Sequence, residues 1–350
     1  MDNKKWCIYI FKAIITVLIL IALLVIGVDP FFHYHAPISG LGYPITKERY
    51  QNDGILKHFS YDSIIIGTSM AENFKTSEFD DLFSANSIKV PFAGAHYKEI
   101  DQNIKTAIRS NSQIRFVVRG IDYEKLLMDK DEWRYSKYPE YMYNTNIFDD
   151  VNYIYNKDVI INSLRIIQNS KCGASTTSFD EYANWNDAFC FGKCAVLESY
   201  NRLDSKIEMR PFTKEDKIQV EQNVQQNIID TVENNPNIDF YMFFTPYSIM
   251  YWDDLMQKGE LNRQLEAEKV AIEMMLSYPN IKLFSFNDVF EMVTDLDNYK
   301  DIWHYSEDIN SLILYDMKEG NHIINCENYQ DYLNHEEQYY LNYDYDSLFE

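Results

Sequence analysis

The amino-terminal apolar segment constrains this chain more than any other feature. Residues 6–28 are predominantly apolar, and Lys12 is their only charged residue. As a helix that rises about 1.5 Å per residue, this segment reaches roughly 34 Å. That length is enough to cross a hydrocarbon core of about 30 Å. The sequence therefore predicts a transmembrane helix over residues 6–28.

Charges at the two ends of the segment predict its orientation. Lys4, Lys5 and Lys12 lie on the amino-terminal side, and Asp29 follows the last apolar residue. The positive-inside rule then makes residues 1–5 a cytoplasmic tail of a single-pass cell-membrane protein, with the large domain outside. A cleavable signal peptide and a buried core helix remain alternatives. The signal peptide is disfavoured by the length of the run and by the lack of an A-x-A site.

The composition of the chain excludes one class of function. Its 54 acidic and 32 basic residues give a formal charge of -22, which repels phosphate backbones, so nucleic acid is not an expected partner. With 46% hydrophobic residues the chain is expected to fold. Four cysteines follow the apolar segment, and they could form two disulfides or remain free thiols; they are Cys172, Cys190, Cys194 and Cys326.

Short apolar runs alternate with helical patterns along the chain. Runs of this kind are typical of strands buried on both faces of a sheet. The predicted strands are Tyr61 to Gly67, Ser87 to Val90, Ile114 to Val118, Ile238 to Phe244 and Ile281 to Phe286. The predicted helices are Tyr97 to Arg109, Thr213 to Asn234, Leu261 to Tyr278 and Ser306 to Lys318. Their alternation predicts an α/β fold with a largely parallel sheet in a three-layer α/β/α arrangement.

Composition shifts suggest how the chain is divided. Residues 29–50 form a juxtamembrane segment, and residues 51–326 hold the α/β domain. Residues 123–211 lack the strand-helix rhythm and are predicted to be an irregular or helical insertion, either a cap over the carboxyl edge of the sheet or a surface decoration. Residues 327–350 are acidic, rich in tyrosine and free of Lys and Arg, which is typical of a solvated tail.

A serine lies where the first predicted strand ends. Gly67, Thr68 and Ser69 follow the run of three isoleucines, and a helix start is expected after them. A serine at this junction projects from the carboxyl edge of the sheet toward the amides of the next helical turn, which suits a nucleophile. Ser69 could instead serve only as a helix cap.

A nucleophilic serine needs a base and an orienting carboxylate. Among the seven histidines, His304 follows the last predicted strand and lies three residues after Asp301. At this spacing Asp301 can hold one ring nitrogen of His304 while the other nitrogen faces Ser69. The sequence therefore predicts a triad of Ser69, His304 and Asp301.

Together, the strand-Gly-Thr-Ser element and the Asp-x-x-His element resemble the SGNH hydrolase superfamily. The resemblance covers roughly residues 60–125 and 238–310. It implies a flavodoxin-like domain in which Ser69 is the nucleophile, His304 the base and Asp301 its orienting partner. The chain looks most like membrane-anchored bacterial members that modify cell-envelope polymers, such as the D-alanyl-lipoteichoic acid transfer and alginate-acetylation proteins.

The resemblance also assigns residues to the oxyanion and substrate. The glycine of the family's second block corresponds to Gly94, whose amide would bind the oxyanion together with that of Ser69. The third block departs from the family, because Asp122 replaces its donor asparagine. Asn73 and Arg119 are candidates to replace that donor. Tyr247 follows the fourth strand at the same edge, where its ring could stack on a sugar, as could aromatic residues of the insertion, namely Trp133, Tyr138, Tyr141 and Trp185.

These features predict an extracytoplasmic, membrane-anchored serine O-acyltransferase or esterase that acts on acyl groups of a cell-envelope polysaccharide or polymer. Its expected partners are that polymer or glycan, the lipid bilayer and a membrane protein that exports acyl groups. The alternative is a catalytically degenerate SGNH-fold protein that binds glycans or acts as a scaffold in an envelope-modification complex. No compact ligand motif is present, so neither a metal nor another cofactor is expected.

Overall fold

The computed structural model describes residues 3–134, 139–144 and 146–349. Met1 and Asp2 of the predicted cytoplasmic tail lie outside these residues, as does Tyr138. The strands are β1 (Ser63–Ile66), β2 (Ser87–Lys89), β3 (Phe116–Ile121), β4 (Asp239–Phe244), β5 (Ile281–Ser285) and β6 (Ile323–Ile324). The helices up to residue 200 are α1 (Asn3–Val28), α2 (Glu48–His58), α3 (Thr76–Phe83), α4 (Tyr97–Ser110), α5 (Glu140–Tyr143), α6 (Val151–Ile154), α7 (Lys157–Lys171) and α8 (Lys193–Ser199). Those after residue 200 are α9 (Lys214–Val224), α10 (Asp230–Glu233), α11 (Ile249–Gln257), α12 (Leu261–Met275), α13 (Phe290–Thr294), α14 (Glu307–Glu319) and α15 (Tyr329–Asn342).

The fold is α/β, and its sheet has six strands within the described residues. Their order is β2-β1-β3-β4-β5-β6, with parallel pairing throughout except at β5 and β6, which are antiparallel. The central strands β1, β3 and β4 are buried at all positions or at all but the first, which agrees with their apolar sequences. Ile65 of β1 pairs with Val118 of β3, and both side chains are fully buried.

The five predicted strands are all present, with shifts of at most three residues at their ends. The largest shift is in β3, which runs from Phe116 to Ile121 and not from Ile114 to Val118. β6 was not predicted, since two residues are too few to show a period. The predicted helix over 213–234 forms in several segments, and its start has the expected capping box, in which Thr213 and Asp216 exchange hydrogen bonds.

By its internal contacts the chain divides into two compact units. One comprises the described residues of 1–59 and 135–178, and the other comprises 60–134 and 179–349. The predicted insertion over 123–211 is therefore shared between the units. The proposed domain limits of 51 and 326 stay a prediction.

The first unit contains the apolar amino-terminal helix. Residues Lys4–Val28 form a helix long and apolar enough to span a membrane, and most of its side chains are exposed in the structure. The carboxyl end of this helix packs against α6 and α7 through an apolar cluster around Val25, Tyr153 and Val159.

The residue that follows this helix fixes the turn after it. Asp29 is fully buried with φ of 49°, a left-handed conformation that aspartate tolerates better than most residues. Its carboxylate accepts hydrogen bonds from the amides of His33, Tyr34 and His35 at 2.7–3.0 Å, and from the Tyr153 hydroxyl at 2.6 Å. These bonds anchor the end of α1 to the rest of its unit.

All five cysteines of the chain are free and exposed.

The second unit contains the whole sheet and also the acidic carboxyl-terminal segment. That segment is a packed helix and not the solvated tail that its composition suggested. Tyr332, Glu336 and Tyr340 of α15 are buried, because a spacing of four residues places them on one face of the helix. The Trp252 and Tyr340 rings stack with centroids 4.0 Å apart, which ties α15 to α11.

Candidate active site

The Ser69 hydroxyl lies just beyond the carboxyl end of β1. The strand is fully buried and ends at Ile66, and the chain then turns through Gly67 and Thr68 into a short 3₁₀ turn over Ser69–Ala71. The Thr68 side chain caps this turn by accepting a hydrogen bond from the Met70 amide at 3.3 Å. Ser69 itself is half-buried, so its hydroxyl is held by ordered backbone and still reaches a cleft.

His304 and Asp301 lie on a loop between α13 and α14. A bridge between Tyr299 and Tyr305 closes the base of this loop, and the amide of Lys300 donates to the His304 carbonyl at 3.0 Å. Asp301 Oδ1 accepts the amides of Trp303 and His304 at 2.9 and 2.8 Å. The carboxyl group is therefore fixed by its own loop before it contacts the imidazole.

The structure brings the three predicted residues into contact. Ser69 Oγ lies 2.8 Å from His304 Nε2, although 235 positions separate them in the chain. His304 Nδ1 lies 2.9 and 2.8 Å from the two oxygens of Asp301. Burial opposes ionisation of Asp301, but the hydrogen bonds from the ring and backbone of His304 outweigh it and lower the pKa of Asp301. A carboxylate can only accept, so Nδ1 carries the hydrogen and Nε2 is free to accept the Ser69 proton.

Asp122 follows β3 and lies beside this group. It is 2% exposed, and it accepts hydrogen bonds from the Tyr247 hydroxyl at 2.7 Å and from the Thr68 hydroxyl at 3.0 and 3.1 Å. Burial raises the pKa of Asp122. The loops after β1, β3 and β4 thus meet at one edge of the sheet, as the topology of parallel strands requires.

Ser69, His304 and Asp122 line a cleft of about 350 Å³. Gly94 and Tyr247 line it too, and Trp303 contributes an indole. The lining also contains charged and apolar side chains, namely Glu124, Lys125, Arg134, Met70 and Met128.

Gly94 needs its conformational freedom, since its φ is +66°. In the described part of the chain, neither its amide nor that of Ser69 donates to a backbone carbonyl. Both residues line the cleft, so their amides are candidates to stabilise a negatively charged oxygen there.

Asn73 and Arg119 make other contacts. The side-chain oxygen of Asn73 accepts the Trp185 amide at 3.0 Å, and the residue is not part of the cleft lining. Arg119 is buried and donates to the carbonyl of Asn227 at 2.7 Å. A contribution of Asn73 to substrate binding stays a prediction.

Trp185, which the sequence indicated only as one of the aromatic residues of the insertion, lies beside His304. The Trp185 and His304 rings are nearly perpendicular, with their centroids 5.5 Å apart. The indole nitrogen of Trp185 lies 3.4 Å from the carbonyl oxygen of Ser69. Lys300 Nζ lies 4.1 Å from the centre of the Trp185 ring and 3.7 Å from that of Phe189. This packing restricts the imidazole on one side. Thr68 and Trp303 also line the cleft, and the sequence could have indicated both of them, because each is adjacent to a predicted site residue.

No protein-family model, curated protein or solved structure matches the chain. Over the residues that the structure describes, no cluster of three or more His, Cys, Asp or Glu side chains is arranged to hold a metal ion.

Proposed function

We propose that this protein is a membrane-anchored, outward-facing serine O-acyltransferase or esterase that acts on acyl groups of a cell-envelope polysaccharide or polymer. The observation that carries the proposal is the chain of contacts from Ser69 Oγ through the His304 ring to the Asp301 carboxylate. A hydroxyl, an imidazole and a carboxylate in this order form the arrangement that activates a serine nucleophile.

The proposed reaction begins with attack on an acyl ester. Ser69 Oγ forms a bond to the acyl carbon, its proton moves to His304 Nε2, and the carbonyl π electrons move onto the oxygen. The resulting oxyanion then re-forms the carbonyl, the bond to the leaving alkoxide oxygen breaks, and His304 returns the proton to that oxygen. Water or a sugar hydroxyl attacks the acyl-serine in the same way and releases the acyl group. Asp301 keeps the imidazole in the required tautomer and stabilises its protonated form.

The oxyanion needs preorganised donors at the cleft. The amides of Ser69 and Gly94 fill this role in the proposal, and each donor is worth about 3–4 kcal/mol of transition-state stabilisation. The aromatic ring of Trp303 at the cleft suits a sugar ring of the substrate. The Tyr247 ring does not, because it is buried against Tyr123 and Tyr251 and its hydroxyl binds Asp122.

The resemblance to the SGNH superfamily is part of the proposal. A flavodoxin-like three-layer arrangement is supported by the strand order, because β2-β1-β3-β4-β5 is the order of that fold. The proposed topology has a cytoplasmic amino terminus, a single span in the lipid bilayer and an extracellular catalytic domain. An acyl-exporting membrane protein is the proposed partner, and this element of the proposal rests on the resemblance alone.

The proposal is tested by replacing the nucleophile. Ser69→Ala should remove hydrolysis of an aryl acetate and acylation or deacylation of the envelope polymer, because it removes the hydroxyl that forms the proposed acyl intermediate. Ser112→Ala, which changes an exposed serine of the same unit, is the matched control. Unchanged rates for Ser69→Ala in both assays would contradict the proposal.

A second function is favoured by one specific residue. Asp122 stands where the family has a donor asparagine, and an ionised carboxylate there would repel an oxyanion. This residue favours a degenerate glycan-binding or scaffold protein. Such a protein would bind the polymer equally well after His304→Ala, and its Ser69 would not react with a fluorophosphonate.

A further inference from the structure

The carboxyl group of Asp122 is buried in the wall of the cleft. Its contacts are the hydroxyls of Tyr247 and Thr68, both of them neutral. The nearby Lys125 is directed to Glu124, with 2.6 Å between Nζ and Oε1. Among the described residues, no lysine, arginine or histidine forms an ion pair with Asp122.

A buried carboxylate in such surroundings is costly. Removal from water disfavours the charged form, and two neutral hydrogen bonds offset only part of that loss. Several titratable or charged groups interact electrostatically with Asp122, some of them close to it in the chain and others on elements packed against it. They are Tyr97, Arg119, Glu124, Lys125, Tyr247, Tyr251 and Tyr305. The net effect of burial and these groups is to raise the pKa of Asp122.

The two oxygens of the carboxyl group are not equivalent. Oδ1 is 2.7 Å from the Tyr247 hydroxyl and 3.0 Å from that of Thr68, whereas Oδ2 has only the longer Thr68 contact of 3.1 Å. An oxygen that accepts two hydrogen bonds suits the carbonyl oxygen of a protonated acid. The proton of such an acid would then lie on Oδ2. Asp122 lines the same cleft as Ser69, Gly94 and His304.

We propose that Asp122 is a neutral carboxylic acid and that its Oδ2 hydroxyl is the third donor to the oxyanion. The inference rests on the proposed acyl-transfer function. When Ser69 attacks and the carbonyl electrons move onto the oxygen, the O–H of Asp122 donates to that oxygen and keeps its proton throughout. A neutral acid supplies an O–H where an asparagine would supply an N–H, so the departure from the SGNH pattern retains a donor.

Infrared spectroscopy measures the protonation directly and needs no activity. The carboxylic acid C=O band in the spectrum of the full-length protein at pH 7 should lose one component in Asp122→Asn. The buried Glu268 and Glu336 contribute equally to both spectra and cancel in the difference. Asp308→Asn, an exposed change, should leave the band intact. If Asp122→Asn changes only the carboxylate bands, Asp122 is ionised and the inference is wrong.

The kinetic test separates a donor from a charge. Asp122→Ala should lower kcat/KM for an aryl acetate about 10²–10³-fold, as loss of one oxyanion donor does. Asp122→Asn restores a donor and should recover most of that loss. Wild-type activity should fall at alkaline pH as Asp122 ionises, and Asp122→Asn should lack this fall. Unfolding curves of both variants show whether they are folded.

The outcomes distinguish this inference from the proposed function. If Asp122→Asn is as slow as a folded Asp122→Ala, the donor role is wrong, while activity that depends on Ser69 leaves the proposed function standing. If Ser69→Ala has wild-type activity, the proposed function fails and the catalytic role of Asp122 fails with it, whatever the infrared result.

Discussion

Gly67 determines how closely the Ser69 turn approaches the sheet. A Cβ atom added at Gly67 would lie 3.0 Å from the Cβ of Ala71 and 3.6 Å from the amide nitrogen of Gly120. The first distance is shorter than ordinary van der Waals contact. A side chain at position 67 would therefore press on Ala71, in the turn that holds the proposed nucleophile.

Gly67→Ala should displace this turn. We expect a loss of about 1–3 kcal/mol in the free energy of unfolding, as for overpacking of a core, and a larger fall in kcat than rise in KM, because Ser69 moves relative to His304. Urea denaturation and steady-state kinetics measure the two effects. Gly27→Ala, where no atom lies within 4 Å of the added methyl, is the control. Wild-type kinetics in Gly67→Ala would show that the turn tolerates a side chain.

Asp301→Asn tests the orienting carboxylate. The variant keeps the size of the side chain but offers His304 no anion and permits the wrong tautomer, so kcat should fall by about 10³–10⁴. Burst and steady-state hydrolysis of an aryl acetate measure it. Asp308→Asn on the following helix removes an exposed carboxylate and should leave kcat within twofold. A fall of less than tenfold for Asp301→Asn would mean that Asp301 does not orient the base.

The triad residues could be predicted because each is visible locally. Ser69 ends an apolar run and His304 lies three residues after a carboxylate, so residue type and spacing are sufficient. Trp185 could not be predicted in the same way. Its place beside His304 depends on how an irregular segment folds over the edge of the sheet, and no period in the sequence encodes that path.

At the scale of elements, short apolar runs predict five of the strands, and pairing and packing between distant segments determine the remaining elements. β1 and β4 are mostly apolar and buried, and the last three residues of β5 are buried too, so the existence of these strands follows from the pattern. β6 contains two residues and exists because it pairs with β5. The acidic composition of residues 327–350 did not indicate α15. Its buried face follows only from the four-residue spacing of Tyr332, Glu336 and Tyr340.

The helix α15 brings a second buried acid against α12. Glu268 lies near enough to Glu336 to oppose ionisation of its carboxyl group, and Tyr123 and Tyr332 donate to Glu268 at 2.9 and 2.8 Å. Burial raises the pKa of Glu268 to about 7 and that of Glu336 well above its usual value. The folded pair therefore holds protons that the unfolded chain releases above about pH 4.3.

This pair should make the protein less stable as pH rises. Between about pH 4.3 and the raised pKa values, the unfolded state loses protons that the native state keeps, so the free energy of unfolding decreases with pH. Glu336→Gln removes one acid and should weaken this dependence, with a gain of about 1–2 kcal/mol at pH 8. Urea midpoints at pH 5 and pH 8 measure it. Glu337→Gln, its exposed neighbour, is the control. Equal pH dependence in wild type and Glu336→Gln would show that Glu336 does not hold a proton in the folded protein.

At the scale of the whole molecule, the amino-terminal helix and the charge distribution determine where the protein can work. The helix is long and apolar enough to anchor the chain, and the three lysines near its start predict a cytoplasmic amino terminus. An esterase on the outer side would reach envelope polymers and not cytoplasmic esters.

The orientation can be tested with the cysteines of the chain. A variant that retains only Cys326, which is exposed, should react with a membrane-impermeant maleimide in intact, reduced spheroplasts. A variant that retains only Cys7, inside the predicted span, should not react under the same conditions. Labelling of Cys326 that appears only after lysis would place the large domain in the cytoplasm.

The most direct measurement is the site at which a fluorophosphonate reacts with the folded, full-length protein. The Ser69 hydroxyl should displace fluoride, so peptide mass spectrometry should find the adduct on Ser69. The rate of this modification should be lower by about a hundredfold or more in His304→Ala. An unmodified Ser69 in the folded wild-type protein, or an equal rate of modification in His304→Ala, would show that these two residues do not form a nucleophile and its base.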